Sequence, residues 1–165
     1  MSNERNEKNC AELIEAHMVS RLTDIDEMLR IYNGEIIADS EFDEQSIFEY
    51  GLSFDYVEKG TFNNQSKGYF RYQISWGGPS EEIRFYCSET EHFENDKSEY
   101  GYNDIPVECF ADVGLYQIEF WYLDWYDGAA YRLCGNWKTI AEQFFSSLSY
   151  DGEGLRLPYL ESTRD

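Results

Sequence analysis

A chain of 165 residues is long enough to bury one core without disulfide or metal staples. Its 42% hydrophobic and 18% aromatic content excludes the acidic disordered class, which is poor in aromatics. The 33 Asp and Glu against 13 Lys and Arg leave a formal net charge of −20, which disfavours direct binding to nucleic acid or anionic membrane and points to a basic partner.

These bounds predict a single domain over residues 1–165, with residues 1–9 flexible. That first stretch is polar and has no apolar core, so it reads as no signal peptide, and no run reaches the length of a membrane span. Cys10, Cys87, Cys109 and Cys134 are far apart and form no Cys-x-x-Cys pair. The expectation is a cytoplasmic protein with free thiols, Cys87 and Cys134 being the candidates for the core.

Leu13, Ile14, His17, Met18, Arg21, Leu22, Ile25, Met28, Leu29 and Tyr32 recur at three- and four-residue spacings, which predicts a helix over Cys10–Tyr32 with that stripe facing a core. Thr23 with Asp26 resembles a capping pair and would allow a break near Ser20 to Thr23. Asn33-Gly34 ends the helix. Asp39 or Ser40 then predicts a cap for a short helix through Phe48 and Tyr50, stopped by Gly51 and loaded with Glu41, Asp43, Glu44 and Glu49.

Leu52 to Glu58 alternates as a first strand, and Lys59 to Lys67 is a turn. The clearest pattern follows. Phe70, Tyr72, Ile74 and Trp76 alternate with polar or amphipathic residues, Gly77-Gly78-Pro79-Ser80 reverses the chain, and Ile83, Phe85 and Cys87 alternate on the way back. This predicts a hairpin with those seven side chains on its buried face. Ser88 to Asp104 is an acidic connection too aromatic for a free linker, and Ile105-Pro106-Val107 is expected to be extended. Gly114 to Leu123 is expected to be the last strand, with Tyr116, Ile118, Phe120 and Tyr122 on one face and Asp124 to Gly128 as its closing turn. Trp137, Ile140, Ala141, Phe144 and Leu148 then make a helical stripe through Ser149, before a Gly-rich tail with Pro158. The fold class is α+β: an antiparallel sheet of about four strands in meander, with N-terminal helices and a C-terminal helix packed on it.

The chain carries no recognisable catalytic signature. Gly77-Gly78 lacks the spacing and the following Lys and Ser or Thr of a phosphate loop. His17 belongs to the helix stripe and reads as a core or boundary residue. His92 lies among acids but without zinc or EF-hand spacing. Asp124 and Asp127 follow a buried strand, where a hydrolase would place carboxylates, but they serve equally well as turn formers before Gly128. The serines lack nucleophile-elbow glycines. The expectation is therefore no enzyme, no cofactor and no metal site. The 14 Tyr and 4 Trp exceed what one core hides, and such rings are enriched where proteins bind proteins.

A folded domain with carboxylates on one face can enter a groove built for DNA, matching the groove's Lys and Arg without being cut. The best-placed carboxylates are Glu41, Asp43, Glu44 and Glu49 on the short helix and Glu81 and Glu82 at the hairpin tip. Glu89, Glu91, Glu94, Asp96 and Glu99 of the acidic connection complete the set.

Tyr72-Gln-Ile-Ser-Trp-Gly-Gly-Pro-Ser-Glu-Glu-Ile-Arg-Phe and Ile118-Glu-Phe-Trp-Tyr-Leu-Asp-Trp-Tyr-Asp-Gly-Ala resemble segments of small acidic proteins carried by phages and plasmids. Size and charge are similar to those of anti-defence proteins, the anti-CRISPR and anti-restriction inhibitors, many of which act as DNA mimics. The resemblance implies a non-catalytic inhibitor in the cytoplasm of a bacterial host, blocking a CRISPR effector or restriction enzyme at its nucleic-acid-binding surface, and it lends no catalytic residues. The alternative is an immunity protein or antitoxin that neutralises a basic nuclease toxin through the same electrostatics. A small hydrolase using Asp124 and Asp127, and a binding domain with no inhibitory role, are the remaining readings.

Overall fold

The computed structural model describes residues 9–77, 79–87, 115–124 and 127–148. Its elements in chain order are α1 (Cys10–Tyr32), α2 (Ser46–Glu49), β1 (Ser53–Val57), β2 (Tyr69–Ser75), β3 (Ser80–Cys87), β4 (Leu115–Asp124), β5 (Asp127–Arg132) and α3 (Gly135–Leu148). The strands form one antiparallel sheet in the order β1-β2-β3-β4-β5. The α+β meander therefore has five strands rather than about four. The fifth is Asp127–Arg132, because Asp124 and Asp127 face each other at the base of a hairpin rather than closing the sheet.

Both long helices pack on one face. Phe145 of α3 sits against Phe54, Phe70 and Phe85 with ring centroids 6.5, 6.0 and 4.8 Å away, and Phe144 meets Tyr72 edge-on at 4.8 Å. Truncating Phe145 to Ala would cost about 3–5 kcal/mol, since the surrounding core relaxes only partly into the space left behind. From α1, Ile14, Met18, Leu22, Ile25, Met28 and Leu29 are buried in the same core, as the stripe predicts. Tyr32 departs from that stripe: it is exposed and meets Phe48 edge-on at 5.3 Å.

α1 runs unbroken, because Thr23 does not cap. Its hydroxyl donates back to the Val19 carbonyl at 2.6 Å, a bond compatible with a continuing helix. Asn9 is the true N-cap, accepting from the Glu12 amide at 3.0 Å. Gly34, at φ +77°, supplies the left-handed residue just past the end.

The hairpin forms as expected except at its tip. Phe70, Tyr72, Ile74, Ile83, Phe85 and Cys87 are buried, but Trp76 is 74% exposed. The ladder runs Gln73↔Glu82 and then Ser75↔Glu81, so one extra residue of β2 bulges there. A bulge shifts the two-residue period by one, and Trp76 is carried off the core face. A second register shift, at Tyr86 and Cys87, takes Tyr116 out of the row Ile118, Phe120 and Tyr122, and Lys67 stands over its ring at 5.1 Å. Cys10 and Cys87 are buried, whereas Cys134, in the link before α3, is exposed rather than in the core.

Several expectations lie outside the described residues: the flexibility of residues 1–9 apart from Asn9, which caps α1, the acidic connection with His92, the extended stretch at Pro106, Cys109, and the tail with Pro158. No described helix is long and apolar enough to cross a membrane.

Candidate partner-binding face

The chain between α1 and β1 is built so that apolar anchors point in and carboxylates point out. Phe42 and Ile47 are buried. Asp39 turns the chain before them, its Oδ1 accepting from the amides of Glu41 at 2.9 Å and Phe42 at 2.8 Å. Asp43 repeats the device, accepting from the Gln45 amide at 2.8 Å, while its own amide donates to the Ser46 hydroxyl at 2.8 Å. Between these fixed points Glu41, Asp43, Glu44 and Glu49 are exposed. α2 spans only Ser46–Glu49, so of the four carboxylates expected on it Glu49 alone is helical. The other three precede it, because the side-chain-to-backbone bonds of Asp39 and Asp43 hold turns in place of a first helical turn.

The proximity of Asp39 to Glu27 of α1, with burial and the charges of Glu41 and Asp24, holds Glu27 above the usual carboxylate range. Asp39 is held below that range, chiefly by the Phe42 amide. Asp24, Glu27, Asp39 and Glu41 thus share one field. Tyr50 closes the segment, its hydroxyl donating to Asp24 Oδ2 at 2.7 Å and accepting from Arg21 Nη1 at 3.1 Å. Burial pushes the Tyr50 phenol up to about 12.

Glu81 and Glu82 do not belong to this face, which corrects their assignment to the hairpin tip. β3 begins at Ser80, so both are strand residues between β2 and β4, and each is 4% exposed. Glu81 faces α1, where Arg21 holds it through Nε at 3.0 Å and Nη2 at 2.8 Å. Ser75 Oγ donates to it at 3.0 Å, and His17 Nδ1 lies 3.4 Å away. Burial raises its pKa, the Arg21 bonds outweigh that, and the net shift is downward. Glu82 faces the opposite side of the sheet and pairs with Arg84 Nε at 2.8 Å. A buried carboxylate needs such a cation, which leaves nothing to offer a partner. Glu89, Glu91, Glu94, Asp96 and Glu99 lie outside the described residues.

The same economy applies to the arginines. Arg21, Arg30, Arg71 and Arg84 end against Glu81, Asp26, Asp55 and Glu82 at 2.8, 3.2, 2.6 and 2.8 Å. Arg84 is further clamped between rings, 3.7 Å from the Trp121 centroid and 4.6 Å from that of Tyr69. Arg21, Arg71 and Arg84 are thereby spent in partly buried pairs, whereas Arg30 makes a surface pair one helical turn from Asp26.

Among the described residues no three His, Cys, Asp or Glu could together hold a metal ion. His17 stacks on Tyr122 at 4.4 Å, the boundary role its position on the stripe suggests. Asp127 accepts from the Cys10 amide at 2.8 Å and from the Gly128 amide at 3.0 Å, and these amides hold its carboxyl below the usual range. It ties the start of α1 to the last hairpin.

The apolar side of the face was not legible in the sequence. Ile37 is 91% and Phe48 55% exposed, with Ile36, Leu52 and Tyr32 also exposed nearby in the chain. The available signal was Ile36-Ile37 between Gly34 and Asp39, an apolar pair too short to carry a helix or strand period. No family model, curated protein or solved structure matches this chain.

Proposed function

We propose that this protein is a non-catalytic acidic inhibitor that acts in the cytoplasm by occupying a basic, nucleic-acid-binding surface on a bacterial defence complex of the CRISPR or restriction kind. The observation that carries the reading is the division of charge. Arg21, Arg71 and Arg84 are consumed in partly buried pairs, while Glu41, Asp43, Glu44 and Glu49 stand in solvent on one short connection beside Asp24, Glu27 and Asp39.

Exposed carboxylates held by fixed turns are pre-organised acceptors for Lys and Arg, and they steer a basic partner over a Debye length of about 10 Å at 0.1 M salt. A groove evolved to neutralise phosphates meets here a similar row of anions on a body that cannot be cleaved as a nucleic acid. The affinity of such a contact falls as salt rises.

Affinity capture from cells carrying CRISPR and restriction systems, followed by competition between the captured complex's DNA and this protein, tests the reading. The expected result is mutually exclusive binding that weakens with salt. A target that holds DNA and this protein together, with salt-indifferent affinity, overturns it.

A further inference from the structure

We infer that the connection between α1 and β1 is a two-part docking surface, whose occupant is a protein element carrying an apolar anchor flanked by Lys and Arg. The inference deepens the proposed reading of this face and rests on it only for the identity of the target. Two independent features coincide there. Residues 33–52 hold Glu35, Asp39, Glu41, Asp43, Glu44 and Glu49 and not one Lys, Arg or His. The same short region, counted from Tyr32, carries Tyr32, Ile36, Ile37, Phe48 and Leu52, most of the large apolar side chains exposed among the described residues.

The apolar part is held by structure. Tyr32 and Phe48 meet edge-on at 5.3 Å across the segment. Ile36 is brought back to the end of α1, its amide 3.4 Å from the Arg30 carbonyl. Phe42 and Ile47 pin the backbone beneath. A solvated acidic turn needs no such display, because its own anchors are already buried.

Charge complementarity selects the occupant. A second copy would set six carboxylates against six, and a nucleic acid would be repelled. Nucleic-acid phosphates are imitated by carboxylates alone, so the exposed Ile and Phe add what a pure mimic lacks. The partner's apolar anchor would pack on them at the centre of the contact while its flanking Lys and Arg meet the carboxylates.

The test uses the full chain and two probes, an amphipathic Leu/Lys helical peptide of about 20 residues and a shorter oligolysine of equal charge, each titrated at about 0.05 and 0.5 M salt. Backbone amide shifts locate the contact. We expect the oligolysine to be released at high salt and the Leu/Lys peptide to be retained, shifting amides of residues 32–52. The double variant Ile37→Ser, Phe48→Ser should weaken the Leu/Lys peptide about tenfold or more at both salts and leave the oligolysine unchanged. Both substituted side chains are exposed, so the variant keeps its fold, which unshifted core amides verify.

Equal release of both probes by salt, or an unchanged affinity in the double variant, overturns the inference and leaves a carboxylate-only face. A dimer of the protein alone that is lost in the double variant overturns it in favour of self-association. Failure of the inhibitor reading shows elsewhere, as simultaneous binding of DNA and this protein by the captured target.

Discussion

The Arg21 guanidinium grips the Glu81 carboxylate with two hydrogen bonds, 3.0 and 2.8 Å long, across 60 positions of chain. The pair bolts α1 to the second residue of β3. Tyr50 and Asp24 extend the network to the end of the acidic connection. The geometry that orients the candidate face is thus the geometry that joins helix to sheet.

Arg21→Ala should destabilise the protein by about 3–5 kcal/mol, because it strands a buried carboxylate. The double variant Arg21→Met, Glu81→Gln should recover most of that loss. Since the folded Glu81 pKa lies below its ordinary value near 4.5, the carboxylate's contribution is complete above pH 4.5 and lost as pH falls through the folded value. Urea denaturation of the parent and of Glu81→Gln should therefore show a gap at pH 7 that closes in acid. A gap that persists in acid would refute the pairing as its source.

Tyr69 presents the opposite case. It is 1% exposed, Arg84 lies over its ring, and its hydroxyl has no hydrogen-bond partner among the described residues. Burial raises its phenol pKa. Tyr69→Phe should be neutral or stabilising by about 1 kcal/mol, since it removes an unsatisfied polar atom and keeps the ring. Arg84→Lys should cost about 1–2 kcal/mol through loss of the planar stack on Trp121. Thermal melts of the two variants check the contrast.

Gly51 is required for space. A Cβ there would overlap the buried Tyr72 ring. Gly51→Ala should cost about 1–3 kcal/mol, whereas Trp76→Ala, at an exposed tip, should stay within about 0.5 kcal/mol. Equal effects in denaturant titrations would contradict the placement of both residues.

Asp127 should matter locally. Its carboxylate holds the Cys10 amide, and its lowered pKa keeps that bond intact at neutral pH, with loss as pH falls below the ordinary aspartate value of 3.8. Asp127→Ala should speed hydrogen exchange in the first turn of α1 at neutral pH, and the difference should fade in acid. It should not create or abolish turnover. Purified protein, with or without divalent metal, is expected to leave DNA, RNA and nucleotides intact, and metal-dependent cleavage lost in Asp124→Asn would revive the hydrolase reading.

Periodicity is a local property, and it decided most of the elements from the sequence alone. The stripe from Ile14 to Leu29, the alternation from Phe70 to Ile74 and from Ile83 to Cys87, and the stripe from Ile140 to Phe144 each place one side of an element in the core. The net charge of −20 is equally a fact of composition. Where the charge goes depends on partners distant in the chain. Glu81 and Glu82 read as surface carboxylates until the sheet brings Arg21 and Arg84 to them. Trp76 reads as core until a bulge between Gln73 and Ser75 turns it out. Tyr32 reads as part of the core stripe of α1, yet it stands exposed against Phe48 while Phe42 and Ile47 of the following segment are buried. Composition limits how many apolar groups and charges a fold must place. Only the three-dimensional pairing of distant residues selects which of them remain in solvent, and that selection drew the candidate face.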